Sequence, residues 1–161
     1  MQLKRLTLTA IFAALCAIGG FIKIPSGIGS LALDTVPALL AAAFLPPVFT
    51  GLAASIGHMT SAMYAGFPLG PFHLLIAIEM FVILYVFARL HKSGRHMWKW
   101  LFIIVANGLL APLPFYVLVS PAFFIGAVPA IFLATVVNAA VAGLVMPAVQ
   151  KAMSRRTGLI Q

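Results

Sequence analysis

The chain has 161 residues, 63% hydrophobic and 7% charged, with a mean hydropathy of +1.15. A water-soluble domain of this size needs far more polar surface, so the composition points to a protein that lives in lipid. The balance of 10 Lys and Arg against 2 Asp and Glu gives a net charge of +8. In a soluble protein that would suggest nucleic acid. Here the bases sit at the ends of apolar runs, which argues against nucleic acid and for headgroups and membrane topology.

The first apolar run covers residues 6–22 and follows Met1-Gln2-Leu3-Lys4-Arg5. That start mimics a signal peptide. A lipoprotein would be lipidated at Cys16, but Leu15 stands where that motif wants a small residue, so the run reads as an uncleaved first helix. Cys16 is the only cysteine, and its expected role is packing. Residues 23–30 carry Pro25, Gly27 and Gly29 and read as a loop. The second run, 31–45 with its core from Asp34, is short for a span and ends at Pro46-Pro47. The third covers 48–65 and closes on Gly66-Phe67-Pro68-Leu69-Gly70-Pro71. The fourth covers 72–90, before a basic loop with His91, Lys92, Arg95 and His96. The fifth covers 98–119, broken by Pro112 and Pro114, and the sixth covers 123–149, with Pro129 inside it. A tail with Lys151, Arg155 and Arg156 follows.

One span takes about 20 residues, so six short spans nearly use up the chain. The expectation is an all-α integral membrane bundle of six transmembrane helices in a single domain, 1–161. Cytoplasmic segments carry the excess of Lys and Arg. With both termini inside, Lys4, Arg5, Arg89, Lys92, Arg95, Lys99, Lys151, Arg155 and Arg156 fall on the inner side, and only Lys23 falls outside. Trp98 and Trp100 stand at the inner boundary, where interfacial anchors belong.

No phosphate-cradling loop, HExxH, CxxC or G-x-S-x-G is present, so the sequence supports neither an ATPase nor an enzyme, and implies no cofactor or metal. Attention falls on polar groups at depth, since an ionisable side chain inside a bilayer costs several kcal/mol unless compensated. Glu79 stands seven residues into the fourth run, roughly 10 Å deep. It can bind a ligand or tie two helices together. His73 stands at the outer mouth of that helix, rotated about 120° from Glu79, so the two need not share a pocket. Asp34 opens the second run, where an N-cap is the plain alternative to a site role, and Lys23 could pair with it. His58 and Ser61, three apart, share a helix face. Tyr64 and Phe67 reach the outer rim, as anchors or as stacking surfaces. Asn107 lies near mid-depth and Tyr116 near the outer end of the fifth run, on either side of the Pro break. Asn138, in the inner half, reads as an interhelical hydrogen-bonding residue. The polar groups gather toward the outside, which suggests a small-molecule pocket open outward.

The first helix carries two small-xxx-small pairs, Ala10 with Ala14 and Ala13 with Ala17. Six short helices, both ends inside, no ATPase motif and this first helix together resemble the substrate-binding S component of energy-coupling-factor (ECF) vitamin transporters. The resemblance spans essentially the whole chain, as a pattern. It implies a subunit that captures a vitamin from outside, in a prokaryotic plasma membrane, and partners with a transmembrane scaffold and two cytoplasmic ATPases. Ala10 and Ala14, with Ala13 and Ala17, would dock on the scaffold. The pocket would draw on Asp34, Tyr64, Phe67, His73, Glu79, Asn107 and Tyr116, with His58 added from its depth. Residues 57–80, reading Gly-His-Met-Thr-Ser-Ala-Met-Tyr-Ala-Gly-Phe-Pro-Leu-Gly-Pro-Phe-His-Leu-Leu-Ile-Ala-Ile-Glu-Met, resemble the branch assigned to alpha-ribazole, a cobalamin precursor. A thiamine precursor would suit the same residue types almost as well. From a different class, a stand-alone secondary transporter or channel using Glu79 and His73 is the competing reading.

Overall fold

The computed structural model describes residues 2–26 and 29–157. Its elements are α1 (Gln2–Gly19), β1 (Lys23–Ser26), β2 (Gly29–Ala32), α2 (Thr35–Ala41), α3 (Pro47–Tyr64), α4 (Phe72–Lys92), α5 (His96–Val105), a π turn (Ala106–Leu110), α6 (Pro114–Leu118) and α7 (Pro121–Thr157). With α5, the π turn and α6 taken as one broken helix, this is a bundle of six. Gln2–Gly19, Phe72–Lys92, His96–Leu118 and Pro121–Ala152 are each long and apolar enough to cross a bilayer. The protein is a helical membrane bundle with one short hairpin among the described residues.

The segment read as a loop from its Pro and Gly residues instead pairs as a short antiparallel hairpin, Lys23 opposite Ala32 and Ser26 opposite Gly29. Pro25 is tolerated because a two-stranded ribbon has an open edge on each strand. The hairpin takes residues 31 and 32 away from the second helix, which starts only at Thr35. After Ala41 the chain tightens into i→i−3 bonds, Ala43 N–H to Leu40 and Phe44 N–H to Ala41, before Pro46-Pro47 starts α3.

What α2 lacks in length it makes up in burial. Ala38, Leu39, Ala41, Ala42 and Leu45 are fully enclosed. The helix packs against α1, α3, α4 and α7 and forms the centre of the bundle. One core joins it to α4, α5 and α7 through Leu39, Leu84, Phe87, Ile103 and Ala142. A second joins it to α1 and α3 through Phe12, Leu45 and Ala53. At 37 residues α7 is roughly 55 Å long, well beyond the hydrocarbon thickness, so its basic end projects past the apolar part.

Two residues placed on the inner side pack against the protein: Lys99 is buried and Trp100 half-buried. Lys99 Nζ lies 2.7 Å from His91 Nδ1 and 4.7 Å over the Trp100 ring. Trp100 packs edge-on against Phe87, while Trp98 stays exposed as an anchor would. The aromatic wall and the His91 acceptor compensate the Lys99 ammonium where solvent does not reach.

α1 and α3 approach closely because Gly57 has no side chain. A Cβ there would lie 2.4 Å from Cys16 Cβ and 3.1 Å from the Ala13 carbonyl oxygen. Gly57→Leu is therefore expected to lower stability by about 1–3 kcal/mol, read as a fall in melting temperature in detergent. Gly126→Leu on α7, with nothing within 4 Å of the added carbon, is the control and should leave it unchanged. Equal effects at both positions would contradict the close packing.

Candidate functional site

The polar residues of the bundle converge on a cavity of about 320 Å³, a size at the lower end of small-molecule sites (about 300–1,000 Å³). Its walls come from the end of β2, the start of α2, α3, α4, the π turn and α7. Asp34, Thr35, His58, Glu79, Asn107, Thr135 and Asn138 supply the polar atoms. Ile76, Met80, Phe115, Phe123 and Ile131 supply much of the apolar surface.

Two irregular backbone segments shape this space. The first is the start of α2. Asp34, expected as a possible N-cap, makes no side-chain cap bond there. Its Oδ1 accepts from the Thr35 hydroxyl at 3.1 Å. The cap comes from across the bundle, where Asn138 Oδ1 accepts from Val36 N–H at 3.0 Å. The Asn138 amide also donates to the Ala32 and Ala134 carbonyls, both at 2.8 Å. Asn138 thus fastens the hairpin exit and α2 to α7, and the bond leaves Asp34 free to face the cavity.

The second is the π turn. Ala111 N–H reaches back five residues to Ala106 at 2.8 Å, and Leu113 N–H takes the Leu110 carbonyl at 3.0 Å. Pro112 and Pro114 have no amide hydrogen to continue the helix. The widened turn brings Asn107 to the cavity, and single π turns recur at functional sites. Asn107 Nδ2 donates to Thr135 Oγ1 at 2.7 Å, and that hydroxyl passes its own hydrogen to the Ile131 carbonyl at 2.8 Å. The order of donors leaves Asn107 Oδ1 as a spare acceptor.

Glu79 lines the cavity, and its Oε2 is buried without a hydrogen-bond partner among the described residues. A buried polar atom left unpaired is rare in a native structure and costs about 1–3 kcal/mol or more. The described lining holds two acids and no Lys or Arg. The expected pairing of Asp34 with Lys23 involves a side chain outside the described ones.

Of the residues singled out from the sequence, Asp34, His58, Glu79 and Asn107 come together here. His73 does not line the cavity; it is buried behind it, with Nδ1 3.3 Å from His58 Nε2. Phe67 sets its ring edge on His73 at 5.7 Å from a left-handed backbone (φ 49°), directly after Gly66 (φ 77°). Tyr64 is 63% exposed and leans on Phe21, beside a separate small cleft that also takes Ser61. His58 and Ser61 thus serve different spaces despite their shared spacing. Tyr116 is half-exposed and packs edge-on against Phe124, outside the cavity. Thr35, Thr135, Phe115 and Phe123 line the cavity without having been singled out. The π turn and the position of Asn138 could have flagged Thr135, one helical turn before it. Of the alanines on α1, Ala13 and Ala17 are buried, while Ala10 and Ala14 face outward.

A helical membrane bundle with a largely apolar cavity of ligand size, carrying a few convergent polar groups, is the architecture of a membrane subunit that holds a small molecule. The sequence profile of the family "ECF transporter, substrate-specific component" matches residues 4–155. The chain belongs to that family; it is a transport subunit that works with the partners of an ECF module, not an enzyme. A solved structure described as the S component of a bacterial ECF transporter shares the fold. Its TM-score is 0.71 at 20% identity, over 95% of this chain and 99% of that one. No curated protein sequence matches significantly.

Asn138→Leu is expected to orphan Val36 N–H and the Ala32 carbonyl and to cost about 2–6 kcal/mol, at about 1–3 kcal/mol for each buried group left unpaired. Thermal unfolding in detergent checks it, with Asn107→Leu as the milder comparison. A smaller loss at 138 than at 107 would contradict the role given to Asn138.

Proposed function

We propose that the chain captures a vitamin or vitamin precursor from outside the cell membrane and hands it to an ECF module of a transmembrane scaffold and two cytoplasmic ATPases. Both termini face the cytoplasm in this reading, supported by the distribution of Lys and Arg. The observation that carries it is the unpaired Glu79 Oε2 in the cavity wall, a buried polar atom waiting for a donor that the described residues do not supply.

The balance of free groups narrows the cargo. Glu79, Asp34 and Asn107 Oδ1 are acceptors, and no cation stands among the described lining residues. Such a wall suits a neutral or cationic molecule rich in N–H and O–H donors and repels carboxylates and phosphates. Alpha-ribazole, a flat benzimidazole carrying a ribose, suits such a wall: its hydroxyls are donors, and Phe115, Phe123 and Met80 offer apolar surface for its ring. A thiamine precursor, with amino and hydroxyl donors on a small ring, is the alternative.

Docking on the scaffold falls to Ala10 and Ala14, the pair that faces outward and permits close helix approach. The stand-alone transporter reading has no support from the family to which the chain belongs.

Glu79→Gln is expected to weaken binding of a benzimidazole riboside by about tenfold or more, with assembly into the ECF complex intact. Ala14→Trp is expected to do the reverse, abolishing ATP-dependent uptake while calorimetric affinity stays unchanged. Equal loss of binding in both variants, or uptake into liposomes that hold this chain without any ATPase, would overturn the reading.

A further inference from the structure

We propose that His73 is a positioning residue that locks His58 in its Nδ1–H tautomer, so that the cavity presents one fixed donor facing a wall of acceptors. The inference rests on the reading of this cavity as the cargo site.

Leu69 N–H lies 3.3 Å from His73 Nε2. An amide can only donate, so Nε2 must present a lone pair, which makes His73 neutral with its hydrogen on Nδ1. Nδ1 lies 3.3 Å from His58 Nε2. That hydrogen is therefore donated to His58, whose Nε2 must also present a lone pair. The remaining hydrogen of His58 then sits on Nδ1. No described residue bonds this atom. Nor is it sealed in protein, since Glu79 Oε2 is the sole buried side-chain nitrogen or oxygen without a partner among the described residues. His58 lines the cavity, so the open Nδ1–H is what its ring offers there.

The loop between α3 and α4 holds the start of this chain of hydrogen bonds in place. Gly66 and Phe67 are both left-handed, the second at a cost of about 1–2 kcal/mol for a non-glycine residue. The turn they make carries Leu69 N–H over His73 and sets the Phe67 ring on the imidazole edge. Phe67, exposed at the rim and read from the sequence as a stacking surface, acts here through His73.

A single donor among acceptors selects for a ligand with one lone-pair acceptor, such as an unsaturated ring nitrogen, on a body otherwise rich in donors. The ring nitrogen of a benzimidazole riboside meets that requirement. The matching indole riboside, with C–H in place of that nitrogen, does not.

The lock is tested on the ligand-free protein by ¹⁵N NMR of histidine-labelled chain in detergent. His58 and His73 are expected as single Nδ1–H tautomers. In His73→Leu, His58 should move to the Nε2–H or a mixed form, and His73→Gln, which can accept and donate at once, should restore Nδ1–H. An Nε2–H or rapidly exchanging His58 in the parent chain, or an unmoved His58 in His73→Leu, overturns the proposal. Binding then reads the consequence. The parent chain should prefer the benzimidazole over the indole riboside by about tenfold, the worth of one hydrogen bond, and His58→Phe should erase the preference. Equal affinity for the two in the parent chain counts against the proposal. Failure of both ribosides to bind counts against the cargo assignment and leaves the tautomers, read without ligand, to decide the lock.

Discussion

A backbone amide in hydrocarbon must find a partner inside the protein, because an unpaired one costs several kcal/mol. This constraint organises the molecule. Most of the chain meets it by being helical. Two of the exceptions, the start of α2 and the π turn, are closed by Asn138 and by the Ala111 to Ala106 bond. Both border the cavity. Non-helical backbone is tolerated at membrane depth where it lines such a space, and these two departures from regularity shape the site.

The same constraint accounts for the division of labour among the polar side chains. Asn138 spends both amide hydrogens and its carbonyl oxygen on backbone groups and holds the architecture. Thr135 spends its hydroxyl on Ile131 and its lone pair on Asn107. Glu79 Oε2 is buried with no partner among the described residues. Within one cavity, Asn138 and Thr135 are satisfied and build the site, while Glu79 Oε2, Asn107 Oδ1 and the open nitrogen of His58 are left for the cargo.

Much of this was legible in the sequence, for identifiable reasons. Apolar runs bounded by Pro, Gly and bases mark the helices of the bundle, because helix length follows from the length of each apolar run. Asp34, His58, Glu79 and Asn107 stood out because charge and polarity at depth need a reason. What was not legible depended on contacts between distant segments. The hairpin at 23–32 was hidden by Pro25 and its glycines, which read as breakers until a partner strand is known. Asp34 looked like a cap because nothing local announces that residue 138 will take that role. That Lys99 turns its ammonium to His91 and Trp100, away from solvent, depends on a helix face that sequence position alone does not give. Helical period separates Ala10 and Ala14 from Ala13 and Ala17, but which pair turns outward is fixed by Gly57 on another helix.

What the cavity holds decides the function of the chain. Small molecules released from the protein purified out of its native membrane, identified by mass spectrometry and counted per chain, test it most directly. The expected result is one neutral or cationic molecule per chain, flat at one end and rich in hydroxyl or amino groups, with an unsaturated ring nitrogen. A stoichiometric carboxylate or phosphate in that place would contradict the account.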